Sequence, residues 1–116
     1  MTDIDELIKQ VIKFRDDRDW KQFHNPKDMA ISLSLEASEF LEHFQWKNPE
    51  EVAAYLKLHK KDISNELADV MIWVLTISHD LKIDLQSIVR SKLRLNAKKY
   101  PISKSIGSHK KYTELS

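Results

Sequence analysis

Apolar residues recur every three or four positions along most of this chain, and this spacing predicts amphipathic α-helices. The predicted helices run approximately from Asp3 to Asp17, from Asp28 to Phe44, from Pro49 to His59, from Asp62 to Leu81 and from Leu85 to the residues before Pro101. No alternating stretch of useful length predicts a β-strand. We therefore expect an all-α fold, a four- to five-helix bundle whose helices contribute to an oligomeric assembly.

Short sequence signals mark where some of these helices begin and end. Asn48 precedes Pro49, and Glu51 follows at the third helical position, which is the usual order of an N-cap, a first-turn proline and an acidic residue. Asp84 is suited to cap the last helix, and Pro101 stops it because proline cannot continue the backbone hydrogen bonding. These signals support the predicted boundaries independently of the apolar spacing.

The amino-acid composition excludes several classes of protein and of site for such a bundle. The chain has 116 residues, one glycine, three prolines and no cysteine, so helix breakers are few and disulfides and thiol ligands are excluded. The start of the chain is acidic, and the longest apolar run, residues 70–77, is far shorter than the ~20 residues that cross a bilayer. We expect a soluble, cytoplasmic protein with one domain over residues 1–102 and a C-terminal tail over residues 103–116.

The net charge of +1 hides an uneven distribution. Eight lysines and arginines and no acidic residue occur between Leu85 and Thr113. Such a stretch is either a solvated, self-repelling face or a surface that meets an anion. Nucleic acid is the weaker interpretation, because no aromatic or glycine-rich recognition motif alternates with the charges.

Two acidic pairs, Glu36 with Glu39 and Glu66 with Asp69, carry the clearest chemical signal. Carboxylates three residues apart on a helix share a face, with Cβ atoms roughly 5 to 6 Å apart. Pairs from two helices would form a hard anionic pocket of the kind that Mg²⁺ occupies, with bonds of ~2.0 to 2.1 Å. The sequence therefore suggests a metal-dependent site that processes phosphates.

The alternative explanation is that either pair is surface charge, which is common on exposed helices. Both pairs, however, lie beside the apolar stripes of long predicted helices, where an unpaired ionised carboxylate is costly. A di-iron carboxylate bundle also uses inward-facing glutamates, but it needs Glu-x-x-His on two helices. The chain contains no Glu-x-x-His, so Mg²⁺ or Mn²⁺ is preferred.

A set of motifs spread over the chain from about Arg15 to Leu115 carries a family resemblance. They are Arg18-Asp19-Trp20-Lys21-Gln22-Phe23-His24-x-Pro26, Glu36-x-x-Glu39, Phe44-Gln45-Trp46-Lys47, Glu66-Leu67-x-Asp69-Val70, Ser91-Lys92, Asn96, Tyr100-Pro101 and Lys111-Tyr112-Thr113-Glu114-Leu115. Together they resemble the MazG-like all-α nucleoside triphosphate pyrophosphohydrolases, and within them the dCTP pyrophosphatase branch. The family often doubles the leading acid of each acidic motif, whereas Leu35 and Asn65 stand there in this chain.

The resemblance implies hydrolysis of a nucleoside triphosphate between its α and β phosphates, giving a monophosphate and pyrophosphate. It also implies Mg²⁺ held by Glu36, Glu39, Glu66 and Asp69. A carboxylate beside the metal could take the proton of an attacking water. Glu36 and Glu39 are both candidates for this catalytic base, and the sequence does not choose between them.

Further residues are candidates for binding the substrate. Lysines suit a leaving pyrophosphate because each offers a mobile positive charge, and aromatic rings stack on nucleobases. Trp73 is promising because it follows Asp69 by one helical turn, although a tyrosine often stands there in dCTP-type relatives. His24 could equally stabilise its own loop. The candidates are Trp20, Phe23, His24, Trp46, Lys47, Trp73, Lys92, Asn96, Lys99 and Tyr100.

Residues 70–75 are apolar around the whole circumference of their predicted helix, so they must be covered on every side. This predicts a homo-oligomer, and the resemblance suggests a homotetramer built as a dimer of dimers. Two alternatives to the dCTP-like function stay open: a non-catalytic helical interaction module, or the same fold acting on dUTP, a damaged nucleotide or phosphoribosyl-ATP. The tryptophan-rich motifs weigh against phosphoribosyl-ATP.

Overall fold

A computed structural model describes residues 2–115 of the chain, and in this range it contains helices and turns but no β-strand. The prediction of an all-α fold is confirmed. The elements are α1 (Asp3–Asp16), a 3₁₀ turn (Lys21–Phe23), α2 (Pro26–Glu42), α3 (Pro49–Asp80), α4 (Leu85–Lys99), the short α5 (Ile102–Ser105) and a second 3₁₀ turn (Tyr112–Glu114). None of the helices described has an apolar stretch long enough to cross a membrane.

The chain forms two compact units, one up to Lys82 and the other from Ile83 onward. In the first unit, the long helix α3 packs against both α1 and α2, and more extensively against α2. The buried apolar core draws on all three helices, with Ile12 from α1, Met29 from α2, and Ile63 and Leu75 from α3. Helix α3 is therefore the element against which the other two are positioned.

The predicted N-caps are present. The Asn48 side chain accepts the backbone N–H of Glu51 at 2.8 Å, and the Glu51 carboxylate accepts the N–H of Asn48 at 3.2 Å. Asp84 accepts the N–H of Ser87 at 3.2 Å and so caps α4. Both helix starts that were inferred from capping residues are confirmed.

Helix α2 begins two residues earlier than predicted. Asn25 is its N-cap and accepts the N–H of Asp28 at 2.9 Å, while Pro26 occupies the first turn. The predicted start near Asp28 is wrong because Asn25-Pro26 repeats the cap-and-proline order that identified the start at Asn48-Pro49.

The predicted third and fourth helices are one helix with a kink. His59 has non-helical dihedral angles, φ −121° and ψ 22°, within the otherwise continuous α3. Its ring stacks on Tyr55 with centroids 4.2 Å apart, and its Nδ1 lies 3.5 Å from the Asp62 carboxylate. The predicted interruption is thus in the right place, but it bends the helix instead of ending it, since neither proline nor glycine follows it.

The second unit comprises α4, α5 and the end of the chain. The Lys99 ammonium lies 4.8 Å from the ring centroid of Tyr112, and the rings of Tyr100 and Tyr112 meet edge to face at 6.1 Å. These contacts join the end of α4 to the last 3₁₀ turn. The predicted boundary between residues 102 and 103 stays a prediction.

Replacing Asn48 by alanine tests the contribution of the α3 cap. The substitution leaves the N–H of Glu51 without its side-chain acceptor, and loss of such a cap costs about 1 kcal/mol. For a small domain this corresponds to a fall in Tm of about 4 to 8 °C, measured by thermal unfolding followed by circular dichroism. The control is Asn65→Ala at an exposed interior position of α3, which should leave Tm unchanged or raise it, because alanine is the better helix former. Equal losses in the two variants would contradict the capping role.

Candidate active site

Three carboxylates converge where α2 packs on α3. Glu36 and Glu39 are one turn apart on the face of α2 that meets α3, and Glu66 comes from the facing side of α3. Each offers an oxygen, and these oxygens all lie within 4.8 Å of one another. The helix pair thus brings together residues that are 30 positions apart in sequence, and Glu36, Glu39 and Glu66 are called the carboxylate cluster below.

In the described part of the chain, two oxygens of the carboxylate cluster lack a compensating positive charge or hydrogen-bond donor. Glu36 Oε2 and Glu66 Oε1 are buried, and within residues 2–115 neither has a hydrogen-bond partner. Buried anionic oxygens without a partner are costly, and proteins normally compensate them with a cation or a proton. Oxygen-only donors of this kind match the preference of hard divalent ions, so the cluster fits a divalent metal.

The pKa values respond to the same crowding. The neighbouring Glu66 carboxylate, which can accept a hydrogen bond only from a protonated Glu36, raises the pKa of Glu36 to about 7, together with burial and the negative charge of Glu39. The pKa of Glu39 is also raised, mainly by hydrogen bonding to Glu66 and by its charge. Both shifts have the same physical cause, the crowding of negative charge, which a bound cation would also relieve.

Asp69, the fourth predicted metal ligand, lies outside the carboxylate cluster. It is exposed on α3 three residues after Glu66, and with Glu36 it lines a cavity that adjoins the cluster. Three residues advance a helix by about 4.5 Å, which explains why Asp69 sits at the cavity wall. Its assignment as a ligand stays a prediction.

This cavity has a volume of about 350 Å³ and is bounded mainly by apolar and aromatic side chains. Trp20, His24 and Trp73, three of the predicted substrate-binding residues, line it. The rings of His24 and Trp73 lie 5.1 Å apart between centroids. The size and lining are typical of a small-molecule pocket, and this space is called the aromatic cavity below.

Trp46 and Phe23 do not line the aromatic cavity. Trp46 is 92% exposed and has a positive φ of 67°, which is a costly backbone conformation for a large side chain. Phe23 is 65% exposed. Lys47 follows Trp46 in the chain, and its ammonium lies 4.4 Å from the ring centroid of Tyr55. The roles predicted for these residues stay predictions.

The remaining candidates belong to the second unit. Lys92, Asn96 and Lys99 follow one another on α4 at spacings of four and three residues, so they share one face of that helix. Tyr100 comes directly after α4 and contacts Tyr112. The predicted roles of all four toward substrate also stay predictions.

Sequence analysis missed a buried ion pair at the aromatic cavity. The Arg15 side chain is 4% exposed, and its Nη1 donates to Asp80 at 2.7 Å. Burial opposes the charge on Arg15, but hydrogen bonds to Asp80 and Asp16 outweigh it and raise the pKa of Arg15. The available signal was the position of Arg15 on the apolar stripe of the first helix, in register with Ile8 and Val11.

A second missed group borders the carboxylate cluster. His43 Nδ1 and the Tyr55 hydroxyl lie 2.8 Å apart, joining the end of α2 to α3. With Glu42 they line a polar cavity of about 420 Å³ that also touches Glu39 and Glu66. The carboxylate cluster thus has an aromatic cavity beside Glu36 and a polar one beside Glu39.

Sequence similarity to known proteins assigns the chain to a family. Residues 31–115 match the sequence model of the MazG-like family. The chain belongs to the MazG-like family. This MazG-like chain is 32% identical to dCTP pyrophosphatase 1 of Bos taurus over 114 residues, which cover 97% of this chain and 68% of that protein. The dCTP pyrophosphatase 1 of Homo sapiens is 32% identical over 114 residues, covering 97% and 67%.

A solved structure supports the same conclusion. The crystal structure of a pyrophosphatase from Archaeoglobus fulgidus DSM 4304 is similar, with a TM-score of 0.82 and 35% identity, over 87% of this chain and 94% of that chain. The resemblance predicted from the motifs is confirmed, and so is the prediction that this MazG-like chain is an enzyme of the pyrophosphohydrolase type.

The raised pKa of Glu36 makes the stability of the metal-free MazG-like chain depend on pH. The folded state holds this proton more tightly than the unfolded state, in which the pKa is near 4.5. The resulting stabilisation is complete below the unfolded pKa and is lost as the pH rises through about 7. In the presence of a chelator, we expect Glu36→Gln to remove this contribution, so that its Tm falls less than that of the wild type from about pH 5 to about pH 7.

The comparison with the variant is necessary because His24 acts in the opposite direction. Burial and the charge of Arg15 lower the pKa of His24, so its contribution to stability grows as the pH rises through this window. Glu6→Gln, an exposed change on α1, serves as the control and should keep the full wild-type dependence. Identical pH profiles for wild type and Glu36→Gln would contradict the assignment.

Proposed function

We propose that this protein is a Mg²⁺-dependent nucleoside triphosphate pyrophosphohydrolase that cleaves a deoxynucleoside triphosphate, dCTP or a modified relative of it, to the monophosphate and pyrophosphate. The observation that carries the proposal is the adjacency of the carboxylate cluster to the aromatic cavity, with Glu36 lining that cavity. One end of this arrangement suits a metal-bound phosphate, and the other suits a flat base.

Glu36, Glu39 and Glu66 would hold the metal, and Asp69, which lines the aromatic cavity one turn after Glu66, is proposed as the fourth ligand. In such a site a divalent ion would supply positive charge to the phosphate oxygens and would lower the pKa of a bound water. The two buried oxygens of Glu36 and Glu66 gain the cation that their surroundings otherwise lack. The carboxylate cluster would thereby become a binding site for the anionic part of the substrate.

Proton transfer falls to one of the two α2 glutamates. Of the two predicted bases, Glu39 is exposed, whereas Glu36 is partly buried against Glu66. We assign the base to Glu39 because its carboxylate reaches solvent. It accepts the proton of the attacking water while the new P–O bond forms, the α–β bridging bond breaks, and its electron pair leaves with pyrophosphate.

The nucleoside would occupy the aromatic cavity. Trp73 follows Asp69 by one helical turn, so its indole would lie next to the acidic residues, and the His24 ring packs beside it at a centroid distance of 5.1 Å. Stacking on such rings contributes about 1 to 3 kcal/mol per base in nucleic-acid complexes. On the polar side of the carboxylate cluster, Lys47 over Tyr55 is positioned to attract pyrophosphate.

Activity of two variants tests the catalytic assignment. Glu36→Gln and Asp69→Asn should each lower kcat by at least about 100-fold, since each removes negative charge that binds the metal, while circular dichroism stays helical. The measurement is pyrophosphate release with Mg²⁺ from dCTP, modified dCTP, dTTP, dUTP, dATP, dGTP and the ribonucleotides. Glu6→Gln is the control and should retain full activity.

The same assay decides between the proposed function and its alternatives. Preference for dUTP or another nucleotide would keep the reaction and change the substrate. Absence of metal-dependent pyrophosphate release from every nucleotide, with no rise in Tm on adding Mg²⁺ and a nonhydrolysable nucleotide, would leave the helical interaction module. Near-wild-type activity in both acidic variants would refute the ligand assignment.

We also propose that the chain works as a homo-oligomer, a tetramer by its family resemblance. Leu35 on α2 and Leu67 on α3 are 58% and 54% exposed, and Met71 is 39% exposed. Apolar side chains at four-residue spacing on α3 form a stripe that a second copy would cover. Association would also give the exposed Trp46 a neighbouring chain to contact.

Sedimentation velocity measures the assembly directly. At micromolar concentration we expect a species about four times the 13.7 kDa chain, and Leu67→Glu should shift it toward smaller species, because the charge disfavours burial. A stable monomer for the wild-type chain would contradict the oligomer. A stable dimer would contradict only the tetramer.

A further inference from the structure

We propose that Arg15 determines specificity at the far end of the aromatic cavity, where its Nη2 group donates hydrogen bonds to an acceptor atom on the nucleobase, a carbonyl oxygen or a ring nitrogen. This inference rests on the proposed function, since it takes the aromatic cavity as the place of the base. It adds a polar determinant to a cavity otherwise bounded mainly by apolar and aromatic side chains.

The first support is the hydrogen bonding of the guanidinium. Nε donates to Asp16 at 3.1 Å, Nη1 donates to Asp80 at 2.7 Å, and Nη1 lies 3.5 Å from His24 Nδ1. Nη2 is buried and, in the part of the chain that the structure describes, has no partner. Leaving a buried charged donor unsatisfied is costly, and because Arg15 lines the aromatic cavity, a ligand there can supply the acceptor.

The second support is the position of Arg15 relative to the acidic residues. Asp80, its ion-pair partner, follows Asp69 by 11 residues on α3, which corresponds to about 16 Å along the helix axis. Trp73 and Thr76 lie between them and line the same cavity. A triphosphate held at the acidic end therefore extends its nucleoside past Trp73 toward Arg15, and its phosphates stay at the opposite end.

The third support is the local charge balance. Asp80 is 14% exposed and Asp16 is 50% exposed, and both contact the same guanidinium. Arg15 is thus already compensated by two carboxylates, so its own guanidinium offers no excess positive charge to another anion. A neutral group with a hydrogen-bond acceptor suits it better than a phosphate does. Asp80 is a positioning residue, because it accepts the hydrogen bond of Nη1 and leaves Nη2 available to a ligand in the cavity.

The test measures how much the base contributes to catalysis. The preferred deoxynucleoside triphosphate is compared with 1′,2′-dideoxyribose 5′-triphosphate, which has no base. The quantity compared is kcat/KM for the complete nucleotide divided by kcat/KM for the abasic one. In the double variant Arg15→Leu/Asp80→Leu, this ratio should fall by about 10- to 100-fold, as expected for loss of a hydrogen bond to a charged group. The kcat/KM for the abasic substrate should stay within about threefold of wild type, because its phosphates meet an unchanged acidic end.

Removing both partners avoids a buried unpaired charge, and apolar replacement of a buried pair is often tolerated. Arg15→Lys is the second variant and covers the case in which the double variant fails to fold. A lysine that pairs with Asp80 cannot also place a donor at Nη2, so base discrimination should fall here too. The matched control is Lys13→Gln/Asp17→Asn, which removes the exposed ion pair of the same helix and should leave the ratio unchanged.

Two results would overturn the inference while leaving the proposed function intact. An equal loss on both substrates would show that Arg15 acts only through the fold, and an unchanged ratio in an active, folded variant would show that Arg15 does not contact the base. Wild-type protein that releases no pyrophosphate from any nucleotide would instead overturn the proposed function and the inference with it.

Discussion

Mutual repulsion among Glu36, Glu39 and Glu66 is the constraint on which the functional part of this structure depends. Packing of α2 on α3 forces three carboxylates within 4.8 Å of one another and buries two of their oxygens. Such a cluster is costly when fully ionised, and positive charge from either a proton or a metal lowers that cost. The same packing that forms the core thus creates a site that favours a bound cation. In the proposed function, the polyphosphate of the substrate would bind to that cation.

Helix α3 spaces the chemistry along one axis. The helix carries, in this order, Glu66, Asp69, Trp73 and Asp80. Measured along the helix axis, the distance from Glu66 grows by about 1.5 Å per residue. The side chains along this part of α3 are therefore acidic, then aromatic, then ion-paired, and the proposed binding mode uses this order to match the phosphate-to-base order of a nucleotide. The first unit, which contains α1, α2 and α3, provides the acidic cluster, the aromatic walls and the buried Arg15.

The small core leaves large apolar side chains exposed on this chain. Among residues 2–115, four apolar side chains, Ile12, Met29, Ile63 and Leu75, are buried, while several large ones on α2 and α3 are exposed. Burial of apolar area is the main favourable term in folding and in association. The homo-oligomer proposed above would cover this exposed apolar surface.

The sequence by itself determined the helical class, the starts of α3 and α4, the family and the acidic residues, because apolar spacing, capping and i, i+3 pairing are local properties of a helix. It placed the start of α2 too late and divided α3 at His59, where the helix only bends. Tertiary structure alone decided which carboxylates meet, that Asp69 lies at the cavity wall, and that Arg15 pairs with Asp80 across 65 residues. These outcomes depend on how one helix is rotated and shifted against another, and that alignment is set by side-chain packing between distant segments, which no local pattern encodes.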